Sequence, residues 1–315
     1  MSSIARQLIR LTNDNQAYQV SLAELAAVFL KLGTIAFGGP AAHIAMMEDE
    51  FVRKRKWITE ADFLDRLGMA NLLPGPSSTE VAIFIGHAKR GSIGLIVAGS
   101  CFIIPAAALV SFIAAAYVRY GSLPQVEGIL YAIKPVVIAI IADALWNLAR
   151  TAVKTKFLAF VGAVSVVLSF LGLDPLMLLL CAGFLSGASL LLRERVRAAS
   201  ILAPALASWV FGATATVASP VSLLRLFLSF LKVGSVVFGS GYVLLAFLKT
   251  EFVTRLHCLT EKQLIDAVAV GQLTPGPVFT TATFIGYVVA GIPGAFFATL
   301  GIFLPGFLLV ALAGR

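Results

Sequence analysis

The sequence predicts an all-α polytopic membrane protein made of tandem homologous repeats, with re-entrant or broken helices that carry Pro-Gly-Pro tips. Three observations lead to this prediction. Of the 315 residues, 59% are hydrophobic and only 13% are charged, whereas a soluble domain carries roughly 25% charged residues. The apolar stretches are long and lack the alternation of β-barrel strands. A set of motifs recurs later in the chain. A soluble enzyme, a disordered protein and a disulfide scaffold are excluded.

Charge and cysteine usage indicate the partner classes. The net charge is 24 − 16 = +8, and the basic residues lie in short clusters between apolar stretches, as in cytoplasmic loops of membrane proteins. We therefore expect the lipid bilayer as a partner and no nucleic acid. The three cysteines form no CxxC pair and the three histidines form no ligand pair, so no disulfide framework, metal or cofactor is expected. The basic clusters are at 53–56, 89–90, 150–156 and 193–197.

Eight stretches are candidate membrane spans, because a helix needs about 20 apolar residues to cross a bilayer. They are 22–47, 93–118, 126–148, 157–173, 175–192, 201–218, 223–248 and 295–313. The polar segment 1–20 does not resemble a signal peptide.

Two further segments, 59–73 and 77–88, are too short to span. As helices they would be about 22 and 18 Å long, against a hydrocarbon core of about 30 Å. Pro74-Gly75-Pro76 separates them, basic clusters flank the pair, and Thr59 with Asp62 resembles a helix cap. We predict a re-entrant helical hairpin with Pro-Gly-Pro at its tip.

An internal repeat supports this organisation. Phe29-Leu30-Lys31 recurs as Phe230-Leu231-Lys232, an offset of 230 − 29 = 201, and Pro74-Gly75-Pro76 recurs as Pro275-Gly276-Pro277. The offset becomes 200 further on, where Pro105 matches Pro305. The predicted organisation is a polar segment 1–20, a first repeat 21–192, a connecting basic loop and extra span 193–220, and a second repeat 221–315 that is truncated or naturally short. Parallel and inverted repeats both remain open, because one false span would reverse the count.

The two Pro-Gly-Pro motifs are the first candidates for a functional site. Discontinuous helices at corresponding positions of two repeats are typical of transport sites, because a broken helix directs unpaired N–H groups and its positive dipole end into a cavity. Hydroxyls beside such an N-terminus suit an oxyanion. The alternative is a tight turn capped by the hydroxyls. The candidate residues are Pro74, Gly75, Pro76, Ser77, Ser78, Thr79, Pro275, Gly276, Pro277, Thr280 and Thr281.

Other candidates lie in the apolar stretches around these motifs. Glycines interrupt the first span of each repeat, at Gly38, Gly39 and Gly239. They either expose backbone groups to a ligand or allow close helix packing. Lys31 and Lys232 occupy matching places inside apolar spans, where they either attract an anion or extend to the interface.

Two titratable side chains complete the set of candidates. Glu80 is a candidate for proton or ion coupling, with a structural ion pair as the alternative. His43 is a candidate anion donor, with simple packing as the alternative.

Enzyme signatures are lacking in the sequence. There is no G-x-S-x-G, no H-E-x-x-H and no P-loop, so we expect no enzymatic activity and transport driven by gradients.

At these same residues the sequence resembles the chromate ion transporter family. The resemblance rests on FGGPAAHIAMMEDEFV (37–52), ANLLPGPSSTEVAIFIGH (70–87), FGSGYVLLAFLKTEFV (238–253) and GQLTPGPVFTTATFIGYVVAGIPGAFFATLGIFLPG (271–306). It implies efflux of chromate across the plasma (inner) membrane by a multi-pass protein of two homologous units, and chromate resistance. Two alternatives stay open: a transporter of sulfate or another oxyanion, and an intramembrane enzyme using His43 and Glu80. The oligomeric state is also open.

Overall fold

A computed structural model describes residues 20–121, 153–171, 181–187, 222–237 and 241–314, with scattered positions between 128 and 178. Every regular element in these ranges is a helix, which confirms the all-α prediction. The predicted spans 126–148, 175–192 and 201–218 lie wholly or largely outside the described residues, as do the polar segment 1–20, the connecting segment 193–220 and Gly239.

The same order of elements occurs twice in the chain. We call residues 22–120 the first unit and residues 223–313 the second unit. The first contains α1 (Leu22–Ile35), α2 (Gly39–Glu48), a π-helical segment (Asp49–Lys54), α3 (Glu60–Leu72) and α4 (Ser77–Tyr120); α5 (Lys156–Phe170) follows. The second contains α6 (Leu223–Val236), α7 (Gly241–Leu248), a π-helical segment (Lys249–Arg255), α8 (Glu261–Leu273), a 3₁₀ turn (Val278–Thr280) and α9 (Thr281–Ala313).

The first predicted span is divided between α1 and α2. α1 ends at Ile35 and α2 begins at Gly39, at the place where the sequence predicts an interruption. Gly38 and Gly39 have φ values of 100° and 75°, which L-residues with a side chain rarely adopt. Pro40 then occupies the first turn of α2, where its missing N–H costs nothing.

A short helix of 13 residues, α3 or α8, precedes each Pro-Gly-Pro segment. The hydroxyl of Thr59 accepts the N–H of Asp62 and so caps the start of α3, as predicted. The cap of α8 is a full capping box between Thr260 and Gln263. α3 ends at Leu72 and α4 begins at Ser77, so the Pro-Gly-Pro segment lies between two helices. We call Pro74-Gly75-Pro76 the first tip and Pro275-Gly276-Pro277 the second tip.

The long helices α4 and α9 each reverse direction near their start. Gly91 has a φ of 59°, and Gly86 packs against Gly94 and Ala98. In a straight helix Gly94 and Ala98 would lie about 12 and 18 Å further along the axis from Gly86, so the helix folds back on itself. α4 therefore comprises a short part, 77–89, antiparallel to a long part, 92–120. α9 turns in the same way at Gly291, with 292–313 as its long part.

Two helices of the described chain are long and apolar enough to cross a membrane, Ser77–Tyr120 and Val278–Ala313. Their long parts alone would reach about 43 and 33 Å. Exposed apolar side chains such as Phe112 on α4 and Leu312 on α9, both at least 70% accessible, lie on their outer faces and suit a lipid environment.

Two apolar cores form, one mainly in each unit. They meet where α4 packs on α9, because α4 adds Ile103, Val110 and Ala114 to the core of the second unit and α9 adds Val310 to that of the first. In the first unit Phe29 on α1 packs on Phe51 of the π-helical segment, with ring centroids 5.1 Å apart. The second unit places Phe230 and Phe252 in the same relation at 4.5 Å. These rings fix each π-helical segment to the first helix of its own unit.

Close backbone contact between α1 and α4 depends on Gly33. A Cβ added there would lie 2.5 Å from the carbonyl oxygen of Phe102, an atom that belongs to the helix backbone and has little freedom to move. Gly234 meets the carbonyl oxygen of Ile302 on α9 in the same manner.

We predict that Gly33→Ala destabilises the protein by about 1–3 kcal/mol, because overpacking forces the two helices apart. Thermal unfolding in detergent should show a melting temperature lowered by several degrees. The matched control is Gly68→Ala in α3, where an added Cβ meets nothing within 4 Å and the glycine-to-alanine change favours the helix. Equal melting temperatures for the two variants would contradict the close approach.

Candidate functional site

The two tips each reach the helix end of the other unit. The N–H of Gly75 donates to the carbonyl oxygen of Val237, which follows α6, at 2.8 Å. The N–H of Gly276 donates to the carbonyl oxygen of Ala36, which follows α1, also at 2.8 Å. The ends of α1 and α6 therefore each meet the Pro-Gly-Pro tip of the opposite unit.

His43 joins the parts of the first unit beside the end of α1. Its ring is 1% exposed and lies edge-on to Phe102. Nε2 is 3.0 Å from the carbonyl oxygen of Ala36, and since a carbonyl only accepts, Nε2 is the donor. Nδ1 lies 3.3 Å from the hydroxyl of Ser78 at the start of α4. His43 thus connects the end of α1 with the residues that follow the first tip.

The first turn of α4 holds a group of buried polar side chains. Ser77, Ser78, Thr79 and Glu80 are all at most 3% exposed. The hydroxyl oxygens of Ser77 and Thr79 and both carboxyl oxygens of Glu80 have no hydrogen-bond partner among the described residues. A buried polar atom without a partner costs about 1–3 kcal/mol. Four such atoms in one helical turn indicate a place that a ligand would complete.

The Glu80 side chain turns back toward the first tip. Its carboxyl oxygen Oε1 occupies the space where a side chain on Gly75 would lie, and Gly306 of α9 faces it from the other side. The carboxyl group therefore lies between the first tip and the second unit.

The second tip has a different arrangement of polar groups. The hydroxyl of Thr280 donates to the carbonyl oxygen of Pro277 and that of Thr281 donates to Val278, both at 2.8 Å. Both threonines are completely buried, and their donors are satisfied within the turn. Among the remaining candidates of the interruptions, Gly38 is exposed and Gly39 is half-buried.

The two candidate lysines pair with carboxylates on the π-helical segments. Nζ of Lys31 lies 3.9 Å from Glu50, and Nζ of Lys232 lies 3.4 Å from Glu251. Each glutamate is buried, whereas the lysine side chains are 57% and 50% exposed. Glu50 also accepts from Nε of Arg55 at 2.8 Å. The lysines thus belong to two ion-pair clusters beside the first helix of each unit.

Sequence reasoning missed the backbone acceptors of the site. The carbonyl groups of Ala36 and Val237 bind the tips of the opposite unit, and neither residue has a distinctive side chain. The available signal was the broken helix itself, because the last carbonyl groups of a helix need partners from outside it.

A cavity of about 730 Å³ lies between the long parts of α4 and α9. Its walls are mainly apolar, as at Ile103 and Phe303, with Thr283 and Thr299 hydrogen-bonded to each other at 2.7 Å. Within the described residues no three His, Cys, Asp or Glu side chains come together as metal ligands.

Comparison with known proteins identifies relatives over most of the chain. A sequence model of the family described as "Chromate transporter" matches residues 23–187 and 224–315. A chromate transport protein of Cupriavidus metallidurans is 37% identical over 298 residues, 93% of this chain and 74% of that protein. A probable chromate transport protein of Synechococcus elongatus is 34% identical over 304 residues, 93% and 75% of the two chains.

A shorter relative matches about half of the chain. The uncharacterized transporter YwrB of Bacillus subtilis is 32% identical over 154 residues, which cover 49% of this chain and 77% of that protein. No solved structure matches the chain.

The ion-pair geometry yields a prediction about Arg55. Arg55→Ala should destabilise the protein by about 1.5–3 kcal/mol, because it removes a charged hydrogen bond from the buried Glu50 and a second one from the more exposed Glu24. The control is Arg53→Ala, which removes a bond of the same 2.8 Å length to Glu48. Both pairs join residues five positions apart, but Arg53 and Glu48 are more exposed than Arg55 and Glu50. The control should cost less than about 1 kcal/mol. Thermal unfolding measures both variants, and equal losses would contradict the special role of burial at Glu50.

Proposed function

Because the chain belongs to the chromate transporter family, we propose that it exports the chromate dianion from the cytoplasm across the plasma (inner) membrane as a multi-pass protein and so confers chromate resistance. The observation that carries the proposed mechanism is the meeting of both tips with the ends of α1 and α6. Such a meeting is the arrangement in which broken helices hold a substrate near the bilayer midplane.

The chemistry at the tips suits a tetrahedral oxyanion. Helix N-termini present N–H groups and a positive dipole end, and hydroxyls can donate to the anion's oxygens. The proposed binding residues are those of the two tips and the turns that follow them, with the glycines of the interruptions and His43 beside them. They are Gly38, Gly39, His43, Pro74, Gly75, Pro76, Ser77, Ser78, Thr79, Gly239, Pro275, Gly276, Pro277, Thr280 and Thr281.

The proposed direction follows from the membrane potential. Moving one charge across it is worth about 2.3 kcal/mol per 100 mV. Two negative charges that leave an inside-negative cell therefore gain roughly 4.6 kcal/mol per 100 mV, twice that figure. Export of the dianion is downhill in this field, whereas import would need a coupled ion.

We propose that the two units are homologous repeats that rock against each other to give alternating access. Support comes from the repeated order of elements and from the reciprocal hydrogen bonds of Gly75 and Gly276. The two family matches fall close to the predicted repeats 21–192 and 221–315. The shorter relative is aligned with 49% of this chain, as expected if one repeat corresponds to one such protein.

Sulfate is the second candidate substrate. The proposed site offers hydroxyls and backbone N–H groups, which recognise oxygen atoms rather than the central atom of the anion. Sulfate shares the tetrahedral shape and the double charge of chromate, so competition between the two anions is the direct comparison.

The proposed function predicts chromate accumulation in everted membrane vesicles. In such vesicles the cytoplasmic side of the exporter faces the medium, and an interior-positive potential draws the dianion into the vesicle. Chromate uptake should exceed that of vesicles without the protein and should fall when the potential is collapsed. Uptake equal to that of vesicles without the protein would refute the proposal. Added sulfate shows by competition whether the site distinguishes the two anions.

We further propose that Lys31 and Lys232 supply positive charge on the approach of the anion. The double variant Lys31→Ala/Lys232→Ala should reduce chromate uptake in the same vesicles by about tenfold, the effect of a 1.4 kcal/mol change. The effect should weaken at high salt, because exposed charges are screened. The control is Lys54→Ala/Lys249→Ala, which removes two exposed lysines that pair with exposed carboxylates of their own. Uptake equal to wild type in the first double variant would refute the assignment.

A further inference from the structure

We propose, on the basis of the proposed function, that the oxyanion and one proton bind together at the first tip, with Glu80 as the proton-binding group. The proposal gives the two tips unequal roles. It narrows the proposed binding residues to those at the first tip, whereas the residues of the second tip hold the framework through the bond of Gly276 to Ala36.

The first observation is the difference in side chains between corresponding positions. The turn after the first tip reads Ser77-Ser78-Thr79-Glu80, and the turn after the second tip reads Val278-Phe279-Thr280-Thr281. His43 on α2 corresponds to Leu244 on α7 at the offset of 201. Only the first turn combines a carboxyl group, three hydroxyls and an imidazole.

The second observation is the difference in hydrogen bonding. The hydroxyls of Thr280 and Thr281 donate to backbone carbonyl groups of their own turn. The hydroxyls of Ser77 and Thr79 and the carboxyl oxygens of Glu80 have no such partner in the part of the chain that the structure describes. The second turn is complete without a ligand, and the first is not.

The third observation is the space that accommodates Glu80. Gly306 of α9 faces its side chain, and a Cβ added to Gly306 would lie 3.6 Å from both Cγ and Oε1 of Glu80. The residue that corresponds to Gly306 in the first unit is Ala106, at the offset of 200. The methyl group of Ala106 lies against Gly276 of the second tip. The space beside the tip glycine thus holds a carboxyl oxygen of Glu80 at Gly75 and the methyl group of Ala106 at Gly276.

The charge of the ligand determines the role of the proton. An ionised carboxylate only accepts hydrogen bonds and repels a dianion beside it. A protonated carboxyl group has an O–H that can donate, in addition to the hydroxyl donors of Ser77 and Thr79. Binding of the anion and binding of the proton therefore favour each other by the same factor, as linkage requires.

Glu80 is the residue that we expect to bind the proton, because of the groups that surround it. The first tip and α9 face it with Gly75 and Gly306. His43 on α2 is the titratable side chain that hydrogen-bonds the same turn, at Ser78, and its Nε2 is engaged by Ala36. Glu80 takes its proton from the solution with the entering anion and returns it to the solution when the anion leaves. One net negative charge then crosses per chromate dianion, so export stays downhill in the membrane potential with half the driving force of the dianion alone.

The test is calorimetric titration of the purified wild-type protein with chromate at alkaline pH, where free chromate is the dianion. Measurement in two buffers of different ionisation enthalpy gives the number of protons taken up per anion. We expect one proton per chromate for the wild type, and an affinity that falls toward tenfold for each unit of rising pH. Glu80→Gln should bind chromate with no proton uptake and little pH dependence. The control Glu60→Gln removes an exposed carboxylate of α3 and should keep the wild-type proton uptake.

The outcomes separate the inference from the proposed function. Wild-type protein that binds chromate without proton uptake would overturn the inference and leave the proposed function intact. Proton uptake that persists in a folded Glu80→Gln variant would also overturn it. Wild-type protein that neither binds chromate nor carries it into vesicles would refute the proposed function and the inference together. The wild-type titration alone decides the central point if Glu80→Gln does not fold.

Discussion

The backbone of the two tips imposes the constraint on which the rest of this structure depends. A helix that stops in an apolar environment leaves N–H and carbonyl groups that water cannot satisfy. Here each unit satisfies the other: Gly75 donates to Val237 and Gly276 donates to Ala36. Neither unit can complete its own helix ends in this way. The two units are therefore bound to each other at the same place where the proposed substrate site lies.

The framework is nearly symmetric, but the chemistry on it is not. Corresponding glycines turn α4 and α9 at Gly91 and Gly291 with φ values of 59° and 63°, and corresponding aromatic pairs hold the π-helical segments. The side chains after the tips differ in polarity and in hydrogen bonding. A symmetric frame provides two equivalent packing surfaces, while a ligand of one kind needs only one set of binding groups. The buried Glu80 lies on the side where we propose those groups.

The positions of Lys31 and Lys232 in apolar stretches mark them as unusual, but the sequence does not show which groups they contact. A lysine within an apolar stretch is unusual and indicates function. The structure gives each lysine a buried glutamate 19 residues further on, Glu50 for Lys31 and Glu251 for Lys232. That separation has no helical periodicity, since the chain passes through an interruption, a short helix and a π-helical segment in between. The pairing follows from packing and could not be read from spacing.

The sequence by itself determined where the helices begin and end. Glycine, proline and capping hydroxyls act on their own stretch of backbone, so Thr59, Gly38-Gly39 and the Pro-Gly-Pro segments predict helix boundaries without knowledge of the fold. Only the tertiary structure decided which atoms those boundaries meet. Ala36 and Val237 became acceptors because α1 and α6 end beside the opposite tips. The carboxyl group of Glu80 fits against the first tip because Gly75 has no side chain there, and Gly306 of the other unit packs against the Glu80 side chain.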